Sequence, residues 1–336
     1  MSLYLNNGFV NIEYALSCGC PWVIMIGGRG TGKTFGALDY AIEHDRQIVL
    51  MRRTQSQTDL INKPEFSPIN PVAAFRGVSC ETRTISKYNS SIVLDPGENE
   101  RILGFTAALS TFSNLRGFDA SGVDLLIYDE FIPETHERLI KGEGMAVLNV
   151  YETINRNREL QGRAPLQALL LSNANRLDNE ILATLDIVNV VDRMTKKGQQ
   201  EYINRQRGIA VFMLQDSPIS KAKGNTALYQ LMQGSTFSGM ALSNQFAFDD
   251  LSDVRSIPLA GWKLQAQLGD LFIYKKDQLY YISRHCAGTP KYIYADTEID
   301  RQKFIRDNPR CRDRILNHRI LYEDFGCKSY LTNLYI

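Results

Sequence analysis

No run of apolar residues in this chain is long enough to cross a membrane, and its first residues lack the charged segment and short apolar core of a leader. A protein of the cytoplasm, without a membrane partner, is expected. Charge of one sign is missing too. Lys and Arg number 38 against 37 Asp and Glu, a formal net charge of +1. No global field therefore announces a polyanion partner, and any nucleic-acid contact has to be local. Paired cysteines are also absent: Cys18, Cys20, Cys80, Cys286, Cys311 and Cys327 never fall at C-x-x-C spacing. Cys18-Gly19-Cys20 and His285-Cys286 are too isolated to read as metal sites, so reduced structural thiols are expected. The chain contains no internal repeat and no low-complexity segment.

What is present is enough apolar material for more than one core. The 336 residues are 44% hydrophobic, which makes two domains the natural expectation. The stretch around which the rest is organised is Gly27-Gly28-Arg29-Gly30-Thr31-Gly32-Lys33-Thr34. It fits G-x-x-x-x-G-K-[ST]. A short apolar run, Pro21 to Ile26, precedes it, and Phe35 to Ile42 follows with apolar residues spaced as on one helix face. Strand, glycine-rich loop and helix in that order make a P-loop that takes a nucleoside triphosphate. Glycines let backbone N–H groups converge on phosphate oxygens, and the helix start adds its positive dipole end. Lys33 would reach the β- and γ-phosphates, and the Thr34 hydroxyl would hold Mg²⁺.

Residues 1–20 are expected to pack beside this pocket, with Tyr14 either facing the base or buried. Gln47 to Met51 reads as a second buried strand. It ends in Arg52-Arg53, either a phosphate or DNA contact or a solvated strand end. Three prolines at 64, 68 and 71 predict an irregular excursion over 62–75. Thr82 to Leu94 and Arg101 to Ala107 read as strands separated by the turn Asp95-Pro96-Gly97. Val123 to Tyr128 is an apolar strand that delivers Asp129 and Glu130 at its carboxyl end, about a hundred residues after the P-loop. Asp129 is expected in the Mg²⁺ shell and Glu130 as the group that polarises the attacking water. Met145 to Leu160 reads as a helix ending in Asn155-Arg156-Asn157-Arg158-Glu159, and Leu166 to Leu171 as a further strand. Asn173 after that strand suits a sensor of the γ-phosphate or the lytic water, with a plain strand-ending turn as the alternative.

Farther on, residues 193–223 hold seven basic residues against two acidic, and 299–319 hold seven against three. Both segments are candidate DNA contacts, with Lys196, Lys197, Arg310 and Arg312 foremost. An ordinary solvated helix is the alternative for the second. Ser217 to Gly224 reads as a linker, followed by a short helix within 225–240. Leu271 to Lys275 and Leu279 to Arg284 read as a hairpin, and Tyr292 to Ala295 as a strand.

The P-loop, Ile127 to Ile132, Asn155 to Glu159, Leu171 to Ala174 and Ser243-Asn244-Gln245-Phe246 together resemble the DNA-packaging ATPases, or encapsidation proteins, of small tailed phages of the phi-29-like group. The chain is more distantly similar to large terminases. The resemblance runs in order from about residue 20 to 175 and thinly through 246. It implies an α/β fold with a RecA-like ASCE P-loop ATPase domain over 1–216, a small linker domain over 217–240, and a C-terminal α+β domain over 241–336. That last domain would have a vestigial ribonuclease-H-like nuclease fold. It further implies a homomeric ring of five that docks on the portal of a procapsid and drives double-stranded DNA inward with ATP and Mg²⁺. Such a motor works in the host cytoplasm, transiently attached to the procapsid, and a packaging RNA is a further partner in this group. Arg156 matches the arginine finger that acts on a neighbouring subunit. Leu115-Arg116-Gly117 before the acidic strand is more terminase-like and makes Arg116 a rival finger or a DNA contact. A C-terminal nuclease would need clustered carboxylates, for which Asp249, Asp250, Asp253, Asp270 and Asp296 are the candidates.

Overall fold

In the computed structural model the apolar runs assemble into two sheets. The structure describes residues 2–115, 119–134, 137, 140–174, 176–214, 217–223, 225–232 and 252–335. Arg116, Gly117, Asn175, Asp249, Asp250 and the Ser243 to Phe246 run lie outside the described residues. Chain contacts divide into one unit of residues 1–185 and 193–248 and another of 186–192 and 249–336.

The first unit is built on nine strands: β1 (Trp22–Gly27), β2 (Ile48–Arg52), β3 (Cys80–Ser86), β4 (Asn89–Leu94), β5 (Arg101–Ala108), β6 (Leu125–Asp129), β7 (Gln167–Ser172), β8 (Glu201–Asn204) and β9 (Ile209–Leu214). Their order is β3-β4-β5-β2-β6-β7-β1-β9-β8. β5, β2, β6, β7, β1 and β9 run parallel, while β3, β4 and β8 extend the two sides antiparallel. Parallel strands buried on both faces carry continuous apolar runs rather than alternation. Ile48 to Met51, Leu125 to Tyr128 and Ala168 to Leu171 are all buried.

Five helices matter to the site: α1 (Ile12–Leu16), α2 (Lys33–Glu43), α3 (Gln55–Ile61), α4 (Ile69–Phe75) and α5 (Glu143–Asn155). α3 starts immediately after β2 because Thr54 and Gln57 close a capping box, each side chain bonding the other's backbone N–H. α4 corrects the irregular excursion expected over 62–75. Pro68 stands at its N-cap and Pro71 in its first turn, where a missing N–H costs nothing, while Ile69, Val72 and Ala73 bury an apolar face. The expected strand Thr82 to Leu94 is a hairpin, β3 and β4, turning at Lys87-Tyr88. The expected linker at 217–224 contains the helix Pro218–Lys223, with Pro at its first position.

The second unit holds β10 (Lys263–Leu268), β11 (Leu271–Lys276), β12 (Leu279–Ser283), β13 (Tyr292–Tyr294) and β14 (Ile320–Tyr322). β10, β11 and β12 form an antiparallel meander, with β13 parallel beside β10 and β14 parallel beside β12. Helices Glu298–Asp307, Cys311–Leu316 and Phe325–Tyr335 bury Phe304, Cys311, Cys327 and Leu331 in this unit's core. All six cysteines are free thiols.

Candidate active site

β1, β6 and β7 are in register along one edge: Ile26 pairs with Ser172, and Asp129 pairs with Leu171. The residues that leave these strands therefore meet at their carboxyl ends, where open α/β sheets bind ligands. There a cleft of about 360 Å³ is lined by Arg29, Gly30, Gly32, Lys33, Thr34, Phe35, Asp129, Glu130, Glu134, Ser172 and Asn173. Lys33, Thr34, Asp129, Glu130 and Asn173, read separately along the sequence, come together in it.

The loop's shape depends on its glycines and on the chain before it. Gly32 caps α2 with φ +87°, the left-handed region that strains residues with a Cβ. A Cβ there would also press on Phe9. Val10 N–H donates to Thr31 O at 3.0 Å, so the first residues do brace the loop, as expected. Tyr14 does not face the cleft; its hydroxyl donates to Glu201 at 3.1 and 3.0 Å.

Lys33 is nearly buried, with its ammonium donating to Gly27 O (3.0 Å), Gly28 O (2.9 Å) and Asn173 Oδ1 (3.3 Å). Charge and amide thus share the place where a terminal phosphate would sit. The Thr34 hydroxyl donates to Asp129 Oδ2 at 2.9 Å. Asp129 is 2% exposed. Such a pair of hard oxygen donors, one hydroxyl and one carboxylate, fits Mg²⁺.

Glu130 takes φ +58°, a left-handed backbone that costs a non-glycine residue roughly 1–2 kcal/mol. Although 56% of its side chain is exposed, lost hydration in the cleft raises its pKa. Arg52 opposes that rise, and the charges of Asp129, Glu137 and Glu134 add to it. At the cleft mouth Arg29 pairs with Glu134.

Arg52 and Arg53, weighed as phosphate or DNA contacts or a solvated strand end, are not a solvated end, because both hold carboxylates. Arg52 Nη2 lies 2.9 Å from Asp129 Oδ2 and Nη1 2.5 Å from Glu130 Oε2. Arg53, 1% exposed, bonds Glu143 through Nε (2.8 Å) and Nη2 (3.2 Å). Tyr128 also donates to Glu143, at 3.0 Å, and Glu137 lies 3.5 Å from Arg53. These arginines could not be assigned from sequence, because nothing local says that β2 lies beside β6.

Arg156 is not brought to the cleft. It follows α5 at φ +48° and precedes β7, on the connection that enters that strand's amino end. Six strand residues, roughly 17 Å of rise, separate the two edges of the sheet. Its neighbours in the motif are structural. Asn155 Oδ1 accepts from Leu166 N (2.8 Å), and Arg158, 4% exposed, donates to the carbonyls of Ser121 and Val123.

In the second unit, among the described candidate acids, Asp253 holds Lys328 (2.7 Å), Asp270 holds Arg284 and Asp296 holds Arg301 (2.8 Å). Among the described residues the grouping with metal-ligand proximity is Glu323, Asp324 and Cys327. Its acids already accept from Ser283, Arg284 and Cys327. A groove of about 580 Å³ in the same unit is lined by Lys275, Arg310, Arg314 and Arg319 against Asp277 and Asp313, with Arg314 stacked 4.3 Å over Tyr280. Arg312 does not line it. Of the basic residues in 193–223, Arg205 bonds Cys18 O (3.0 Å) and Arg207 bonds Leu185 O (2.8 Å).

Residues 6–257 match the model of the podovirus DNA encapsidation protein (Gp16) family. Three solved structures share the fold. The bacteriophage phi-29 viral genome packaging motor assembly aligns with TM-score 0.67 and 16% identity over 99% of both chains. The phi-28 gp11 DNA packaging motor aligns with 0.66 and 18%, over 98% of this chain and 97% of its own. The N-terminal domain of the bacteriophage phi29 DNA packaging ATPase aligns with 0.50 and 22%, over 62% of this chain and 97% of its own. No curated protein matches the sequence.

Proposed function

Because the chain belongs to the podovirus DNA encapsidation protein family, we propose that it is an ATP-hydrolysing motor that moves double-stranded DNA into a procapsid. The observation that carries this reading is the convergence of Lys33, Thr34, Asp129, Glu130 and Asn173 on one cleft at the sheet's carboxyl edge. Backbone N–H groups of the loop and the Lys33 ammonium bind the β- and γ-phosphates. Thr34 and Asp129 would hold Mg²⁺, which would supply charge neutralisation at the phosphates. Glu130 orients and deprotonates the attacking water, and Asn173 donates to the γ-phosphate beside Lys33.

A motor of this kind works as a ring, and a ring of five on the procapsid portal is the proposed assembly, with the soluble chain drawn from the host cytoplasm. Among the described residues no helix is long and apolar enough to cross a membrane. Arg156, at the edge of the sheet away from its own P-loop, serves the neighbouring subunit's phosphate. DNA is held by its backbone, without regard to sequence, at the groove of Lys275, Arg310, Arg314 and Arg319 and at Lys196 and Lys197. A packaging RNA would meet the same basic chemistry. The division into 1–216, 217–240 and 241–336 remains the proposed domain plan. A meander with a parallel strand on its edge supports the ribonuclease-H-like descent of the last domain. Among the described residues the candidate acids are separately paired, which counts against cutting.

The test is ATP hydrolysis with and without double-stranded DNA. Stimulation by DNA of any sequence is the expected result, and a chain that binds ATP but hydrolyses none with DNA present would refute the reading.

A further inference from the structure

The parallel strands also bring residues together at the sheet edge opposite the P-loop. Pro21 stands shortly before β1, Arg46 before β2, Asp124 before β6 and Pro165 before β7, and all four line a cavity of about 580 Å³ with Arg158 and Arg163. Glu159–Gln161 forms a single 3-10 turn, Gly162 closes it at φ +72°, and Arg163 N–H donates to Arg158 O at 3.0 Å. That turn sets the two arginines side by side, and both donate to one carbonyl. Ser121 O accepts from Arg158 Nη2 at 3.2 Å and from Arg163 Nη2 at 2.9 Å. Asp124, the acid of the cavity, is taken by Arg46, whose Nε donates to Oδ2 at 2.8 Å. Among the described residues neither Arg158 nor Arg163 pairs with a carboxylate; their acceptors are backbone carbonyls. Arg158 is 4% exposed, and its Nε is buried without a hydrogen-bond partner, as is Asp124 Oδ1. Lost hydration first, then the charge of Arg163, draws the Arg158 pKa below its ordinary value, with Asp124 opposing. Buried polar atoms are rarely left unpaired, and these two belong to residues that line the same cavity.

We propose that this cavity binds a small phosphate-type oxyanion, hydrogenphosphate, at Arg158 and Arg163. Guanidinium forks match the oxygens of a phosphate and can hold two of them at once. With Arg46 matched by Asp124, the charges of Arg158 and Arg163 remain for the anion. Hydrogenphosphate also carries a hydroxyl, a donor suited to Asp124 Oδ1, whereas sulfate at neutral pH offers acceptors only. A buried acceptor left unpaired is costly, so the cavity selects the protonated ion. The burial of Arg158 favours a free ion over a phosphate in a nucleic-acid backbone, since flanking sugars hold a backbone phosphate away from a side chain so little exposed. Orthophosphate is the product that the proposed ATPase releases, but the site rests on its own donors and does not depend on that reading.

The test is a calorimetric titration of the full chain with inorganic phosphate at fixed ionic strength, in a Lys33→Ala background that removes the P-loop's own ammonium. Saturable binding should persist there. Adding Arg163→Gln should weaken it about tenfold, and Arg163→Lys, which keeps the charge and loses the fork, about threefold. Sulfate should bind about tenfold more weakly than phosphate. A short DNA duplex without terminal phosphates should not displace the ion. No saturable binding in the Lys33→Ala chain, an affinity unchanged by Arg163→Gln, or sulfate held as tightly as phosphate would overturn the proposal. Displacement by the duplex would overturn it too, by making the cavity a nucleic-acid contact. Arg163 is exposed, so its variants fold more readily than changes at buried Arg158. If Lys33→Ala itself unfolds, as thermal melting would show, the wild-type chain saturated with ADP takes its place and the same outcomes decide. Hydrolysis is not read in any arm, so a chain without ATPase activity leaves the result intact.

Discussion

In the parallel sheet Asp129 and Glu130 leave one strand end together and share a single arginine, whereas in the C-terminal unit Asp253, Asp270 and Asp296 each hold a different base. Topology accounts for the first arrangement. Parallel neighbours send successive carboxyl ends to one edge, so the acids of β6 arrive beside the P-loop of β1 and the amide after β7. Position at an edge is not sufficient, however. Asp270 and Asp296 also follow strands that finish at one end of their sheet, since Leu268 pairs with Tyr294, yet Arg284 and Arg301 stand at their carboxylates. Consecutive acids at one strand end bring a hydroxyl and a guanidinium to a common point, Asp129 Oδ2. Acids pinned one by one offer no common point.

The comparison can be tested hardest at Arg156. If the converged acids need a neighbour's charge, Arg156→Ala should lower turnover about 10³–10⁵-fold. Mixing those subunits with Glu130→Gln subunits should restore part of it, because an intact Glu130 then sits against an intact Arg156. A mixture that forms rings and stays inactive would place the missing charge elsewhere. Glu130→Gln alone should keep fluorescent-nucleotide binding and lose about 10²–10⁴ in hydrolysis, since an amide cannot take the proton. Robust turnover by that variant would remove Glu130 as base. Next in size is the buried support behind the cleft. Arg53→Ala strands Glu143 without its cation and should cost about 3–5 kcal/mol in urea unfolding.

A milder effect is expected in the C-terminal groove. Neutralising Arg310 and Arg314 together should reduce the salt slope of DNA binding by about two phosphate contacts. An unchanged slope would exclude the groove. Smallest of all, Asp270→Asn and Asp296→Asn should leave hydrolysis within about twofold, as exposed ion pairs contribute little. A nicking activity that these changes abolish would erase the contrast between the two sets of acids.

Much of the site was legible in the linear chain. The P-loop spacing, the apolar run ending in Asp129-Glu130 and the polar end at Ser172-Asn173 each carry a local chemical signature. α4 was not legible, because three prolines read as an irregular excursion until Pro68 and Pro71 are seen at a helix start. The turn at Lys87-Tyr88 lacked a glycine or asparagine to mark it. Asn155-Arg156-Asn157-Arg158 was read as one motif, yet its residues divide between holding the β7 entrance and facing outward.

The sequence by itself determined which groups line the cleft, because loop glycines, an amine, a hydroxyl and strand-end acids act through covalent spacing and short-range geometry. Only the tertiary structure decided what restrains them. β2 and β6 are separated in sequence by α3, α4 and the β3–β5 strands, and their adjacency follows from sheet order alone. That adjacency turned Arg52 toward Asp129 and Glu130 and buried Arg53 against Glu143, a distinction between two consecutive arginines set by the alternation of side chains at a strand's end.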